Sequence, residues 1–561
     1  MAFIVKNPVE ADARPYPRRW PALGVLCLSL LLVVMANTSL IVALPDMTAD
    51  LELRSHEMQW LVDGYTVPYA ALMLLFGVLG DRVGRRRALI AGLVVYGAGS
   101  LLGSLADSTE AVIAARFAMG VSAAVIMPAT LSLLVAIFPR AERGKAISIW
   151  AATSGLAIAL GPLVSGALLA NAGWSSTFLV NVPFVAVAIV AALALIPPSR
   201  VESRQPLDYL GGIYSIVAIG TMVYAVIDGF HAGWGALQLS LLALAALTSL
   251  LFVRRQLRHP APLLDVRKLA DRAVGGSSLA VMLLFLSAFA VIYYVAQYLQ
   301  AIFGYGPLET GIRLLPLAVA VTIGSLLSGI LMRWVSGRWL IVTGMLLGAG
   351  GVLILTQADA SSTYVSYLVA LSLLGLGMGL SEPPATDTIM GGFSESELGA
   401  AGGLNDTAIE LGGSLGIAFL GSILATTYDE RLADKTAGQT AAVPEALRGQ
   451  VDGALDRAAD PVGAGAGVAE HLASDPSTAT LADALMHSVT SSYAEAVATT
   501  SWVAGLMLVV GAIAVALILP RNLRGGHHHT DGEERSAGAD GPGGGDGADS
   551  QHPKQRVRAG V

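Results

Sequence analysis

The stretch "GVLGDRVGRRRALIAG" (77–92) aligns without gaps on "GILMRWVSGRWLIVTG" (329–344), pairing Gly77 with Gly329, Leu79 with Leu331, Val83 with Val335, Arg86 with Arg338 and Gly92 with Gly344. Five identities in sixteen are few, but both copies sit at the same kind of place: the end of one apolar run, a basic turn and the start of the next. Runs of about 20 apolar residues are the length of helix that crosses roughly 30 Å of hydrocarbon. Working outward from the two copies gives helices near 20–45, 59–80, 88–106, 111–137, 145–170, 174–196, 207–228, 236–253, 273–301, 308–332, 338–356, 361–390, 403–428 and 493–519. The first copy joins helices 2 and 3 and the second joins helices 10 and 11, so the repeat is displaced by eight helices. A six-helix unit displaced by eight requires two inserted helices, and the chain reads as 6 + 2 + 6. Parallel repeats of this kind hold their substrate at the repeat interface near the midplane.

Composition agrees. Of 561 residues, 54% are hydrophobic and 13% charged, against about 25% charged in a soluble domain. The chain is expected to be an all-α polytopic membrane protein. Its single cysteine, Cys27, cannot form an intramolecular disulfide or a CxxC metal site. No nucleophile–base signature, phosphate loop, metal motif or basic-aromatic pattern is present, which argues against an enzyme, a metal or cofactor, and a nucleic-acid partner. The His527–His529 tract lies in a tail and is not read as a metal site.

The first apolar run follows Arg18-Arg19-Trp20, is longer than the apolar core of a signal peptide and lacks a cleavage site, so it is read as a retained helix. Lys6, Arg14, Arg18 and Arg19 precede it, and further Lys/Arg gather between helices 2 and 3, 4 and 5, and 8 and 9. That bias places both termini in the cytoplasm of a cell-membrane protein. The expected organisation is a cytoplasmic N-terminus (1–19), a six-helix bundle (20–200), two inserted helices (201–258), a second six-helix bundle (259–520) and a cytoplasmic tail (521–561). Within the second bundle, 429–492 is expected to be a large extracytoplasmic loop, and the tail, with "GADGPGGGDGADSQ", to be disordered.

Several polar residues interrupt the apolar runs. Asp81 stands between Gly77 and the Gly84 turn with Arg82, Arg85 and Arg86, where its carboxylate can pair with a cation or a helix N-terminus across the two halves. Arg116 lies inside helix 4, where a guanidinium is costly unless it faces a partner or water. Gly155, Ala157, Gly161, Ser165 and Gly166 put small side chains on about one face of helix 5, around Pro162, and Gly412, Gly413, Gly416 and Gly421 look like their counterpart in helix 13. Helix 12 contains "GLGMGLSEPPATDTIM" (375–390), with Glu382 and Asp387 around a Pro383-Pro384 pair expected to break the helix and free backbone carbonyls, and a glycine run expected to add flexibility. Asp406 and Glu410 share a face of helix 13. Asp63 reads as a cap or interface residue.

The string Gly77-x-Leu79-x-Asp81-Arg82-x-Gly84-Arg85-Arg86-Arg87 resembles the signature between helices 2 and 3 of major facilitator superfamily transporters. "ARFAMGVSAAVIMP" (115–128) is similar to the helix 4 motif of that superfamily, and "GLAIALGPLVSG" (155–166) to the helix 5 motif of its antiporters. With fourteen spans, "WLVDGYT" (60–66), "WSSTFLVNVP" (174–183), "YLQAIFGYGPLETGIRLLP" (298–316) and "PATDTIM" (384–390), the chain resembles the drug:proton antiporter branch. The resemblance implies the major facilitator fold, two six-helix bundles with two extra helices between them. It implies a proton-coupled exporter of amphipathic, often cationic drugs working by alternating access.

On that reading Arg116, Glu382, Asp387, Asp406 and Glu410 serve proton coupling or the substrate cavity. Gly77, Asp81, Arg82, Gly84, Arg85 and Arg86 form the conformational motif, and Gly155, Gly161, Pro162 and Gly166 the antiporter motif. The proton motive force supplies the energy without a cofactor; the partners are small molecules, protons and the lipid bilayer, and the unit is a monomer. The same residues would permit export of a single metabolite or antibiotic, and less readily uptake. Helix 1 departs from the branch, with "MANTSLIVALP" (35–45) placing Ala36 where an acid is common.

Overall fold

The computed structural model describes residues 15–51, 53, 55–199, 207–232, 234–357, 359, 363–440 and 479–521, and among these there is no strand. The long helices are α1 Arg19–Leu51, α2 Ser55–Val83, α3 Arg85–Ser104, α4 Thr109–Ile137, α5 Arg140–Ala172 and α6 Ser175–Leu195, the last with a turn at Val180. They continue as α7 Tyr209–Ala232, α8 Ala236–Gln256, α9 Arg272–Ala301, α10 Pro307–Leu331, α11 Gly337–Ile354, α12 Tyr364–Gly391, α13 Leu398–Thr440 and α14 Ala479–Ile518. All fourteen contain a window apolar and long enough to cross a membrane. Val187, Val190, Leu250, Val319, Val510 and Leu517 are exposed in a chain that otherwise buries such residues, so hydrocarbon is their solvent and the protein is multi-pass.

The packing obeys the displacement by eight helices. In the first half α1 packs on α5, α2 on α4, and α3 on α4 and α6; in the second α9 packs on α13, α10 on α12, and α11 on α12 and α14. The repeated glycines explain why. A Cβ at Gly92 would meet Ile126 and Ser122 of α4, and one at Gly344 would meet Ser381 and Gly377 of α12. Likewise, Gly77 approaches Gly399 at the start of α13, while Gly329 approaches Ser148 near the start of α5. The sixteen-residue repeat therefore marks two pairs of equivalent close contacts, and the fold is that of two six-helix bundles facing each other through α2–α13 and α5–α10.

The inserted pair leans on this frame from one side. α7 packs on α2 and α13, with Trp60 stacked on Tyr224 at 5.7 Å between ring centres, and α8 packs on α7. Asp63, buried on α2, lies within electrostatic reach of Tyr224, which makes it an interface residue. Asp208, just before α7, accepts from Gly211 N (3.0 Å), Arg255 Nε (2.6 Å) and Gln256 Nε2 (2.9 Å). Burial pulls that carboxyl upward, but the three donors outweigh it and hold it below the usual carboxylate range.

Three expectations change. Helix 13 does not end at 428 nor helix 14 begin at 493: α13 runs to Thr440 and α14 starts at Ala479. The extensions are amphipathic, with Tyr428, Leu432 and Thr436 buried on one and Ala482, Leu485 and Val489 on the other, a helical period that a hydropathy window overlooks. At 43 residues, α13 is about 65 Å long, roughly twice the hydrocarbon thickness. Residues 441–478 of the expected loop, 1–14 and 522–561, including His527–His529, lie outside the described residues. The small residues of α5 serve two neighbours rather than one: Gly161 and Ser165 face α1, while Gly155, Pro162 and Gly166 face Val321, Gly311 and Leu308 of α10.

The third concerns α12. The helix is continuous through Pro383 and Pro384. Pro384 has no N–H for the carbonyl of Leu380, and Ser328 Oγ of α10 donates to that oxygen instead at 2.9 Å. The glycines before it serve contact rather than flexibility: Gly375 and Gly379 approach Leu317 and Val321 of α10, and Gly377 approaches Gly344 of α11.

Candidate functional site

The latch between α2 and α13 is built from the repeat. Gly84 has φ 113°, a backbone that favours glycine, and it turns the chain so that Arg85 starts α3. Arg85 Nε then donates to Asp81 Oδ1 at 2.6 Å, and both side chains are buried. The other oxygen, Oδ2, accepts the backbone N–H of Gly399 at 2.6 Å, in the first turn of α13. Arg85 Nη2 reaches across to the carbonyl oxygen of Glu395 at 2.7 Å. Both halves are thus tied by a carboxylate on a helix N-terminus and a guanidinium on a carbonyl. Arg86 Nη1 caps the end of α6 through Ile196 O (3.0 Å), and Arg87 is exposed. Arg82 is half-buried near the same end of α2.

Glu395 also carries the second tie: Arg143 of α5 lies 3.9 Å from its carboxylate. Asp387 is in electrostatic contact with the same Arg143. Of the two acids of α12, Asp387 therefore faces the latch end, separate from Glu382.

Glu382 belongs with α13. It is buried, and Asp406 is close enough to repel it; Asp406 likewise repels Glu410 one turn along. Thr386 Oγ1 donates to Asn405 Oδ1 (3.0 Å), and Asn405 Nδ2 donates to Asp406 Oδ1 (3.1 Å), which fixes α12 to α13 at the acids. Asp406 Oδ2 is buried and has no hydrogen-bond partner among the described residues. Facing these acids from the other half are Tyr65 and Tyr69 of α2, whose phenols feel Glu410 and, for Tyr69, also Asp406. Among the described residues no Lys or Arg forms an ion pair with Glu382, Asp406 or Glu410.

Arg116 stands on the far side of Tyr65. Its guanidinium carbon lies 4.3 Å from the centre of the Tyr65 ring, its Nε donates to Leu61 O (3.0 Å) and its Nη1 to Ala36 O (3.4 Å). The ionisable groups against it are the phenols of Tyr65 and Tyr96, and no carboxylate joins them. Tyr65 is in contact with Arg116 on one hand and within electrostatic reach of Glu410 on the other, so pairwise contacts connect Arg116, through Tyr65, to the acids of the second bundle.

The sequence singled out both ends of that connection and missed its middle. Tyr65 stands inside the quoted "WLVDGYT" and Tyr69 follows one turn later, a spacing that puts both on one face of α2. Asn405, adjacent to Asp406, and the Glu395–Arg143 tie carry no spacing signal. The glycines of α13 mirror α5: Gly412 and Gly416 approach the Met282 and Leu286 carbonyls of α9, as Gly161 approaches Thr38 and the Met35 carbonyl of α1. Among the described residues no cluster of metal-ligating side chains occurs.

A family model described as Major Facilitator Superfamily matches residues 26–417. The multidrug efflux pump LfrA of Mycolicibacterium smegmatis is 34% identical, over 91% of this chain and 98% of that protein. The puromycin resistance protein pur8 of Streptomyces alboniger is 34% identical, over 79% of this chain and 89% of that protein. Among solved structures, that of the human organic anion transporter MFSD10 superposes with a TM-score of 0.53 at 15% identity, covering 72% of this chain and 94% of that one. At that identity the likeness is one of fold.

Proposed function

The chain belongs to the major facilitator superfamily, and from that premise we propose how it works as an exporter of drugs or toxic compounds. It lies in the cell membrane with both termini in the cytoplasm, as the Lys/Arg bias supports, and the latch end is the cytoplasmic end. It acts as a monomer, with the proton motive force as its energy source and no cofactor. Its substrates are amphipathic and often cationic.

One observation carries this reading: buried Glu382 and Asp406 and half-buried Glu410 are grouped against two tyrosines of the other half, with no cationic side chain paired to them among the described residues. Buried carboxylate charge needs a partner. A proton or a cationic guest each supplies one, so the two compete for the same acids, and the aromatic faces of Tyr65 and Tyr69 suit a cation as well. Export by alternating access follows when one half rocks against the other: the latch at Asp81 and Arg85 holds one arrangement, and occupancy of the acids biases the equilibrium. Each proton that moves through the field contributes about 2.3 kcal/mol per 100 mV.

Proton movement in everted membrane vesicles tests this across a compound panel. Glu382→Gln, Asp406→Asn and Glu410→Gln are expected to lower proton release on adding a cationic substrate by at least about tenfold, the size of one lost charge-assisted contact. Asp387→Asn, at the latch end, is expected to retain coupled release at reduced turnover. Full coupling in all three acid variants would refute the assignment. The alternative of a dedicated exporter draws support from the likeness to a puromycin resistance protein, and activity toward a single compound of the panel would favour it.

A further inference from the structure

Beside Arg116, with none of the three acids in its lining, is a cavity of about 10 Å³ lined by Ser39 of α1, Arg116 and Met119 of α4, and Thr177 and Asn181 of α6, among others. That is room for one water molecule. Two polar atoms of these lining residues, both on side chains 1% exposed, have no hydrogen-bond partner among the described residues: Arg116 Nη2, a donor, and Asn181 Oδ1, an acceptor. The other polar atoms of each side chain have partners: Arg116 Nε and Nη1 donate to Leu61 O and Ala36 O. Asn181 Nδ2 donates to Thr177 O (3.1 Å) and Phe178 O (3.2 Å), which fixes which amide atom is left over. The hydroxyls of Ser39 and Thr177 donate to Gly161 O (3.2 Å) and Trp174 O (2.7 Å), leaving their lone pairs as acceptors.

We propose that Asn181 positions Arg116 through one bound water molecule in this cavity. The water accepts from Arg116 Nη2 and donates to Asn181 Oδ1, with a hydroxyl lone pair of Ser39 or Thr177 for its second proton. Charge alone would favour a small anion beside the guanidinium, but the acceptor oxygens of Asn181, Ser39 and Thr177 on the wall would repel one and match a molecule that both donates and accepts. The bridge ties the guanidinium to α6 and so to its own bundle. It accounts for Asn181 in "WSSTFLVNVP", a motif whose Trp174 otherwise binds Asp50 Oδ2 at 2.8 Å. The water site stands by itself; the effect on transport rests on the proposed proton-coupled export.

Hydroxyl-radical footprinting of the full-length protein by a brief X-ray pulse reads the water directly, because radicals formed from an ordered water oxidise the sulfur beside it. Met119 is 1% exposed and lines the cavity, whereas Met73 and Met345, 0% exposed, do not line it. Met119 is expected to be oxidised several-fold faster than either, and the excess to vanish in Asn181→Leu, which fills the space, but to persist in Asn181→Ser, which keeps an acceptor. Transport by Asn181→Leu is expected to show an unchanged KM with turnover several-fold lower, restored in part by Asn181→Ser. Equal labelling of the three methionines, or excess labelling of Met119 that survives Asn181→Leu, overturns the water; unchanged turnover in Asn181→Leu overturns the positioning role. If the leucine variant does not fold, the wild-type and serine labelling decide. Met119 labelling in a protein without proton-coupled flux would leave the water site and remove the reading of function.

Discussion

Neutralising Asp81 is the sharpest test of the latch, because its contacts separate into those within one half and those between halves. The 2.6 Å pair with Arg85 joins the end of α2 to the start of α3 and stays within the first bundle, so it is present however the bundles are arranged and does not bias them. The bond that crosses is from Gly399 N–H to Asp81 Oδ2. In Asp81→Asn that bond falls from charge-assisted to neutral, a loss of about 1–1.5 kcal/mol, and the carboxylate's interaction with the N-terminus of α13 is lost as well, about 0.3–1 kcal/mol. The latched arrangement should lose about 2 kcal/mol, roughly a thirty-fold shift toward the unlatched one. Gly399→Ala attacks the same contact sterically: its Cβ would lie 2.6 Å from Asp81 Oδ2 and would clash with the Gly77 carbonyl. Because both changes break one contact, the double variant should shift the balance by much less than the sum. Spin labels at the exposed positions Arg87 and Ser396, in a Cys27→Ala background, report the separation by double electron–electron resonance. A longer population is expected in each single variant and a similar one in the double; distance distributions identical to the unmutated latch in both singles would refute the argument.

Two further outcomes follow from packing and charge. Gly416→Ala places a Cβ onto the Leu286 carbonyl and should destabilise the protein by about 1–3 kcal/mol, whereas Gly421→Ala, whose nearest neighbour is Tyr293 at 3.7 Å, should be neutral or stabilising; melting in detergent separates them. Asp208 is held below the usual carboxylate range, so its contribution is fully present above the ordinary Asp value of about 3.9 and is lost as pH falls through the lower folded value. Asp208→Asn should therefore melt below wild type at neutral pH, and the two curves should converge only in strong acid; a gap that persists there would show that charge at Asp208 is not its source.

The frame was legible because packing repeats and charge does not. One gapless match around Gly77 and Gly329 implied the displacement by eight helices, and Gly92 and Gly344 prove to make equivalent contacts with α4 and α12. Arg116, Asp81, Glu382, Asp406 and Glu410 were visible as charges that a lipid-exposed helix would not tolerate. Grouping them was not legible, because a carboxylate's neighbours depend on helix rotation: Asp387, five residues beyond Glu382, faces Arg143 instead of Asp406. The proline pair misled for a related reason. The hydroxyl that satisfies the Leu380 carbonyl comes from Ser328, 52 residues earlier on another helix. The ends of α13 and α14 were missed because amphipathic extensions look like loops to a hydropathy average.

The two seams between the halves are related by the repeat but differ in chemistry, and that difference sets what can move. The second copy has Arg333 and Ser336 where the first has Asp81 and Gly84, so α10 brings no carboxylate to the start of α5. The α5–α10 seam is held instead by small and apolar contacts along its length, from Gly166 on Leu308 through Gly155 on Val321 to Gly329 on Ser148. Separating it exposes closely packed surface at every step. The α2–α13 seam is tied at one end by directed bonds from Asp81 and Arg85, with Arg143 beside Glu395 as a further tie, and borders the grouped acids further along. The grouped acids thus lie beside the seam held by directed polar bonds. The α5–α10 seam, close-packed and crossed by a neutral bond from Thr322 Oγ1 to Ala152 O, is the one suited to act as the pivot.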